Sequence, residues 1–446
     1  MRRLDSKNFF SFLKSDVFLM LLLWLIVILE RFAFTIWDKT SQSFIISDSL
    51  NYYRSGIDLM QTGRLIYRGC PTALIMPGIS VLIGTLSLIF PEGSALIYAI
   101  RTFWILMGSL VPLFIYKALR LYTGKLAAII GASVYLFPWH VQIDCFLLTE
   151  CPYYLFFAIS LYLTLRMRGR RDPLSIWLWA FSILAALMFR ANILIFAVFC
   201  FFYFGVFLRF SGKDLIHCAA VLCFALALFI VPWSIRNYHL YHAFIPVTYG
   251  ASNPMFEGTY QGEAFPTDDE VYALDPTFNV YAKVSAKRPD LLDSEGHVFN
   301  PEMQQYVDML VAGELAHHRL QSWWTLRPLS LLKTYFYTKP RMILNWVWYY
   351  IELCGISYSV AHRLRQFGLF FCLLTAVLSF YKKKHQRLVT FLWLSYLLNL
   401  YILSTSYAVD RYAQMIMPFR YLLCGLGFDL LITSIFKKHP FNDKQQ

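Results

Sequence analysis

An acidic residue just after the first apolar run, in Ser47-Asp48-Ser49-Leu50-Asn51-Tyr52-Tyr53, can accept the proton of an attacking hydroxyl. Asp48 also has a plain structural use, because Asp is a preferred cap before a helical run. A second acidic point is Leu148-Thr149-Glu150, with Asp144 shortly before it. Glu150 in a first helical turn complements the helix dipole. A carboxylate at membrane depth is nonetheless costly enough to be a functional candidate. Three basic points join these acids. Phe189-Arg190-Ala191-Asn192 interrupts two apolar runs, and Pro232-Trp233-Ser234-Ile235-Arg236-Asn237-Tyr238 closes another. Val409-Asp410-Arg411-Tyr412 opens the last, with Pro418 and Arg420 beyond it. Guanidinium groups there can clamp a phosphate through paired hydrogen bonds. The ordinary alternative is snorkelling to lipid headgroups.

The elements that must position these residues are membrane helices. Of 446 residues, 58% are hydrophobic and only 15% charged, against about 25% charged in a soluble domain. That excludes a soluble enzyme, a disordered chain and a small disulfide scaffold. The formal charge of +13 reads as the positive-inside signature of cytoplasmic loops, not as a nucleic-acid surface. Nine scattered cysteines, among them Cys200, Cys218, Cys223, Cys372 and Cys424 in apolar runs, read as small buried hydrophobes. Walker A, HExxH and GxSxG motifs are absent. The adjacent His317-His318 pair diverges on a helix and makes a poor shared metal site. Asp268-Asp269-Glu270 reads as a solvated loop.

Apolar runs long enough to span begin near Val17, Ile97, Lys125, Glu150, Ser175, Asn192, Asp214, Arg365, Arg387 and Tyr412. Placing Arg166-Met-Arg-Gly-Arg-Arg171 in the cytoplasm, with Arg2, Arg3, Lys7, Lys14, Lys382-Lys383-Lys384 and Lys437-Lys438, leaves two further apolar stretches that must not cross. These are 73–90, whose Pro77-Gly78 suits a re-entrant or surface-lying helix, and 328–353, whose Lys333, Lys339, Arg341 and aromatics suit an interfacial one. The expectation is an all-α polytopic membrane protein, one domain over 1–446. It has about ten spans, both termini cytoplasmic, no cleaved signal peptide, and two large outer segments at 38–96 and 232–365. No internal repeat of the transporter kind is visible.

In this order the motifs resemble the GT-C superfamily of integral-membrane glycosyltransferases, most of all the branch of protein mannosyltransferases and the lipid A aminoarabinose transferase. The resemblance runs through Asp48 and Tyr52, Pro77-Gly78, Arg101, Pro138, Leu148-Thr149-Glu150 and Arg190. It continues through Pro232-Trp233-Ser234-Ile235-Arg236-Asn237-Tyr238, the loop from Phe244 through Gly250 to Gly258, and Arg411-Tyr412 with Pro418. It implies transfer of a sugar from a polyprenyl-phosphate donor to an acceptor at the outer membrane face, by direct inverting displacement. Asp48 and Glu150 would be the catalytic acids, and Arg190, Arg236 and Arg411 the donor-phosphate ligands. Tyr52, Asp144, Asn237 and Tyr412 are candidate substrate contacts. The superfamily includes metal-dependent and metal-independent members, so no metal is assigned and a divalent cation stays open. Asp48-Ser49 replaces the paired Asp-Glu of protein mannosyltransferases, which leaves the acceptor open among glycolipid, cell-wall polymer and protein. A bacterial plasma membrane is the expected setting. The alternatives are a transporter or flippase of lipid-linked glycans, with charges and broken helices at mid-membrane, and a structural assembly partner.

Overall fold

The structure, a computed structural model, describes residues 15–37, 48–345, 347 and 355–435. The basic residues Arg2, Arg3, Lys7, Lys14 and Lys437-Lys438 lie outside the described residues, as do the start of the first outer segment through Ser47 and most of 346–354.

Every one of the ten apolar runs falls on a helix. The first is α1 (Asp16–Trp37). Then come α2 (Ser49–Thr62), a hairpin of β1 (Ile66–Tyr67) and β2 (Cys70–Pro71), and the ten-residue α3 (Gly78–Ser87). Next are α4 (Ser94–Arg120), α5 (Lys125–Ser133), α6 (Pro138–Cys145) and α7 (Glu150–Arg166). They are followed by α8 (Pro173–Leu187), α9 (Ile193–Phe202) and α10 (Gly212–Tyr241). The second outer segment carries α11 (Ser252–Glu257), α12 (Asp268–Leu274), α13 (Val280–Lys287), α14 (Gln304–Leu326), α15 (Pro328–Lys333) and α16 (Lys339–Asn345). The chain closes with α17 (Tyr358–Tyr381), α18 (Gln386–Ser404), the short α19 (Asp410–Gln414) and α20 (Met417–Ile435).

Among the described residues, six helices are long and apolar enough to cross a membrane: α1, α4, α10, α17, α18 and α20. A seventh candidate is bent by 62° between Lys125–Leu136 and Pro138–Cys145. Pro138 explains the break, because it forces Phe137 into an extended conformation. The runs from Ser175 and Asn192 form shorter apolar helices. At ten residues, or about 15 Å at 1.5 Å per residue, α3 is too short to span, in keeping with the Pro77-Gly78 reading.

Two boundaries move. Pro232 does not end its helix; α10 runs 30 residues, about 45 Å, and its last turns therefore extend past a ~30 Å hydrocarbon core. Arg365 does not open its helix either but is buried inside α17. A third expectation holds only in part: the acidic run 268–270 is solvated, but it is the first turn of α12 and not a loop. Thr267 and Glu270 form a capping box there, Asp268 pairs with Arg319, and Glu270 with Arg327. Of the five cysteines read as buried, Cys223 is exposed.

The membrane core forms where α4 packs on α1 and α7, α7 on α8, and α20 against α5 and α17. A smaller core ties the end of α10 to the outer segment through Trp233, Tyr241, Ile245 and Tyr306. α3 docks end-on, its Gly78 N–H donating to Met188 O at 2.7 Å. A Cβ at position 78 would lie 2.5 Å from that oxygen, so the α8–α9 junction and the start of α3 meet at a spot only glycine fits.

Candidate active site

Asp48 precedes α2 with helical backbone angles, and its side chain makes no capping hydrogen bond. The carboxylate turns instead to three donors. Tyr67 Oη donates at 3.1 Å, Arg68 Nη2 at 3.1 Å and Arg411 Nη2 at 3.5 Å. Tyr67 and Arg68 arrive on the β1–β2 hairpin, whose two-residue loop is Arg68-Gly69. Both loop residues have positive φ, 55° and 81°, the geometry that matches the twist of a tight hairpin. A non-glycine residue held there carries local strain, and this one aims a guanidinium at a carboxylate.

Glu150 begins α7, where the unpaired N–H groups of the first turn favour an anion. Its Oε1 accepts from Arg190 Nη2 at 2.6 Å and pairs with Arg411 Nε at 2.9 Å. Arg190 also donates from Nε to Thr149 Oγ1 at 2.9 Å and lies 5.8 Å from the centroid of the Tyr412 ring. Arg411 is thus the link between the two acidic points, touching Asp48 with one nitrogen and Glu150 with another. The result is a continuous chain: Arg68, Asp48, Arg411, Glu150, Arg190. Tyr52 is buried beside it, its ring 5.6 Å from that of Tyr67.

Three guanidinium cations face two carboxylates here, so one positive charge is left over. Burial works against the charge on Arg411, but Glu150, with Tyr52 and Asp48 behind it, outweighs burial and holds the guanidinium above its ordinary value. Burial first, then the neighbouring Tyr52 and Asp48, pushes the Tyr67 phenol up, so it stays a hydrogen-bond donor. The two acids differ in access. The Asp48 side chain is 21% exposed and that of Glu150 is 1% exposed. Such a group can bind an anion over the arginines and offer an open carboxylate beside it. Among the described residues, no three His, Cys, Asp or Glu side chains are placed to hold a metal ion.

Asp48, Tyr52, Glu150, Arg190, Arg411 and Tyr412, scattered in sequence, are therefore brought together. Three other candidates are not. Asp144 is fully buried elsewhere, accepting from Arg31 Nε at 3.1 Å and Tyr135 Oη at 2.8 Å. Arg236 donates to Thr72 O at 2.7 Å and to Asn237 Oδ1 at 2.8 Å, and Asn237 donates to Ile245 O at 2.8 Å. This pair ties α10 to Thr72, just after the hairpin, and to the loop at Ile245. Tyr67 and Arg68 were missed in the sequence reading. Their one signal is a Gly following Arg68 between two short extended pairs, Ile66-Tyr67 and Cys70-Pro71.

No protein-family model matches the sequence, and no curated protein matches it. Solved structures do. The apo oligosaccharyltransferase of Archaeoglobus fulgidus aligns over 94% of this chain with a TM-score of 0.54 at 15% identity. The oligosaccharyltransferase AglB of the same organism, in complex with an inhibitory peptide and a dolichol-phosphate, aligns over 96% with a TM-score of 0.51 at 14% identity. The chain spans about half the length of these two, 51% and 52%. ArnT from Cupriavidus metallidurans, bound to undecaprenyl phosphate, aligns over 94% of this chain and 79% of its own, with a TM-score of 0.37 at 13% identity. At 14–15% identity the likeness to these two oligosaccharyltransferases shows a shared fold, that of a polytopic helical membrane protein.

Proposed function

We propose that this GT-C-fold protein is a glycosyltransferase that moves a sugar from a polyprenyl-phosphate donor to an acceptor hydroxyl at the outer face of a bacterial plasma membrane. The observation that carries the proposal is the chain Asp48–Arg411–Glu150–Arg190. Support also comes from the dolichol-phosphate bound to one structure of like fold.

The chemistry follows from charge. As the sugar–phosphate bond breaks, negative charge grows on the departing polyprenyl phosphate, and preorganised cations stabilise it more than they stabilise the intact donor. Arg411 and Arg190, held in place by Glu150, supply that stabilisation, with Arg68 at the open side. Asp48, the more accessible acid, takes the proton of the acceptor hydroxyl as that oxygen attacks the anomeric carbon from the face opposite the leaving phosphate. One carboxylate suffices for this inverting displacement. Glu150 is enclosed by arginines and acts by orienting them. Arg236, Asn237 and Asp144 act as structural ties. Both carboxylates of the site are already engaged by guanidinium groups, a donor set that does not suit a resident divalent cation. Arg411 provides the positive charge between them.

The acceptor is a glycolipid, a cell-wall polymer or a protein. Purified protein in nanodiscs, given a radiolabelled polyprenyl-phosphate sugar, tests the reaction. Envelope mass spectrometry with and without the gene identifies sugar and acceptor. A flippase is the second reading, favoured by the 62° break before α6 and the buried Arg31–Asp144 pair beside it. Movement of labelled lipid across vesicles with no covalent transfer would establish that reading instead.

A further inference from the structure

The segment 405–409 joins α18 to α19 and delivers Arg411 to the site. Its backbone is gripped from the second outer segment at three points. Gln261 uses both ends of its amide on one residue: Nε2 donates to Ala408 O at 2.8 Å, and Ala408 N donates to Oε1 at 2.6 Å. Lys339 Nζ donates to Ser406 O at 3.0 Å while lying 3.9 Å from the centroid of the Tyr335 ring. Gly258 packs directly on the same turn. A Cβ there would lie 2.8 Å from Ser406 O and 2.9 Å from Lys339 Nζ. Ala408 and Lys339 are fully buried. The gripping residues are themselves fixed. Arg319 donates to Thr259 Oγ1 at 2.9 Å and to Pro266 O at 2.8 Å, on either side of Gln261, from the long helix α14.

We propose that Gln261, seated by Gly258 and assisted by Lys339, is the positioning residue for Arg411, so that the second outer segment sets where the central guanidinium stands between Asp48 and Glu150. A side-chain amide paired with both the N–H and the C=O of one residue fixes that residue's plane as a neighbouring β-strand would. Arg411 lies three residues downstream, too close for the segment to absorb a shift. The placement stands on geometry alone; its effect on sugar transfer rests on the reading of the site given above.

The test uses the full chain in nanodiscs. Gln261→Met keeps the side-chain volume and removes both hydrogen bonds. Phenylglyoxal labelling at pH 8, read residue by residue by mass spectrometry, reports access to each arginine without any substrate. Labelling of Arg411 is expected to rise about tenfold in Gln261→Met, as follows from losing two buried hydrogen bonds. The buried Arg31 and Arg420 should stay unlabelled. Unchanged labelling of Arg411 would overturn the proposal. If Arg31 and Arg420 label as well, the variant has unfolded, and amide hydrogen exchange on the unmodified chain decides instead: slow exchange at Ala408 supports the grip, and fast exchange there overturns it. In transfer assays, Gln261→Met combined with Arg411→Lys should be no slower than Arg411→Lys alone, whereas multiplied losses would mark a merely structural Gln261. If Arg411 becomes labelled while neither variant changes transfer, the positioning holds and the catalytic reading fails.

Discussion

Asp48 and Glu150 touch the same arginine yet should fail differently when altered. Asp48 is partly open, so Asp48→Asn should leave the fold intact and lower kcat by roughly 10²–10⁴, the usual contribution of a general base. A melting curve beside the rate separates the two effects. Glu150 is enclosed, and Glu150→Gln leaves two guanidiniums without their counter-charge. Removing one partner of such a pair costs about 3–5 kcal/mol, so this variant should melt lower as well as react slowly. Arg411→Lys keeps the charge but not the two separately directed N–H groups. It should lose most of the transfer rate in the same assay, because one ammonium cannot reach both acids in the guanidinium geometry. These residues were legible as types: each interrupts or ends an apolar run. Their meeting was not, because Asp48, Glu150 and Arg411 lie on three elements far apart in the chain. The same limit separated Arg236 and Asp144 from the group, since an interfacial arginine that ties loops together has the same sequence signature as one that binds phosphate.

At the scale of elements, hydropathy and proline placed most helices and missed their ends. Pro77-Gly78 marked where the short α3 starts, and Gly78 has a reason visible only in three dimensions, its contact with Met188 O. Gly78→Val should separate α3 from the Arg190 junction, lowering both melting temperature and transfer. Pro232 misled because a proline can sit inside a long helix without ending it, as it does in α10. The Arg68-Gly69 hairpin loop and the capping box at Thr267 are local turn chemistry that charge counting overlooks. The outer segment has its own titration. Burial pushes the Lys339 ammonium down to about 7, and among the described residues no carboxylate pairs with it. Its folded value lies below the ordinary 10.5, so the folded state holds fewer protons across that window, and stability rises as pH climbs from about 7 toward 10. Below about 7 the amine is charged in both states and the full burial penalty stands. Lys339→Met should therefore gain most over the parent near pH 6, with the difference in melting temperature shrinking toward pH 9.

For the whole molecule, the proposed function puts the basic blocks and the acid–arginine site on opposite faces. Reporter fusions after Arg171 and Lys384 should read as cytoplasmic, and one inserted near Asp269 as external. An external reading at Arg171 would invert the arrangement. The all-helical membrane architecture was legible because apolar runs and prolines mark helices directly, and solved structures at only 14–15% identity share the fold.

Arg411 has no idle charge at rest, since two carboxylates already hold it. A donor phosphate therefore arrives as a competitor, and seating it on the guanidinium loosens the hold on Asp48. The base, still held at Oδ1 by Tyr67 and Arg68, then has Oδ2 free to take a proton only after the donor is in place. Kinetically this is compulsory order, donor before acceptor, and it would keep the carboxylate tied in an ion pair until the donor arrives.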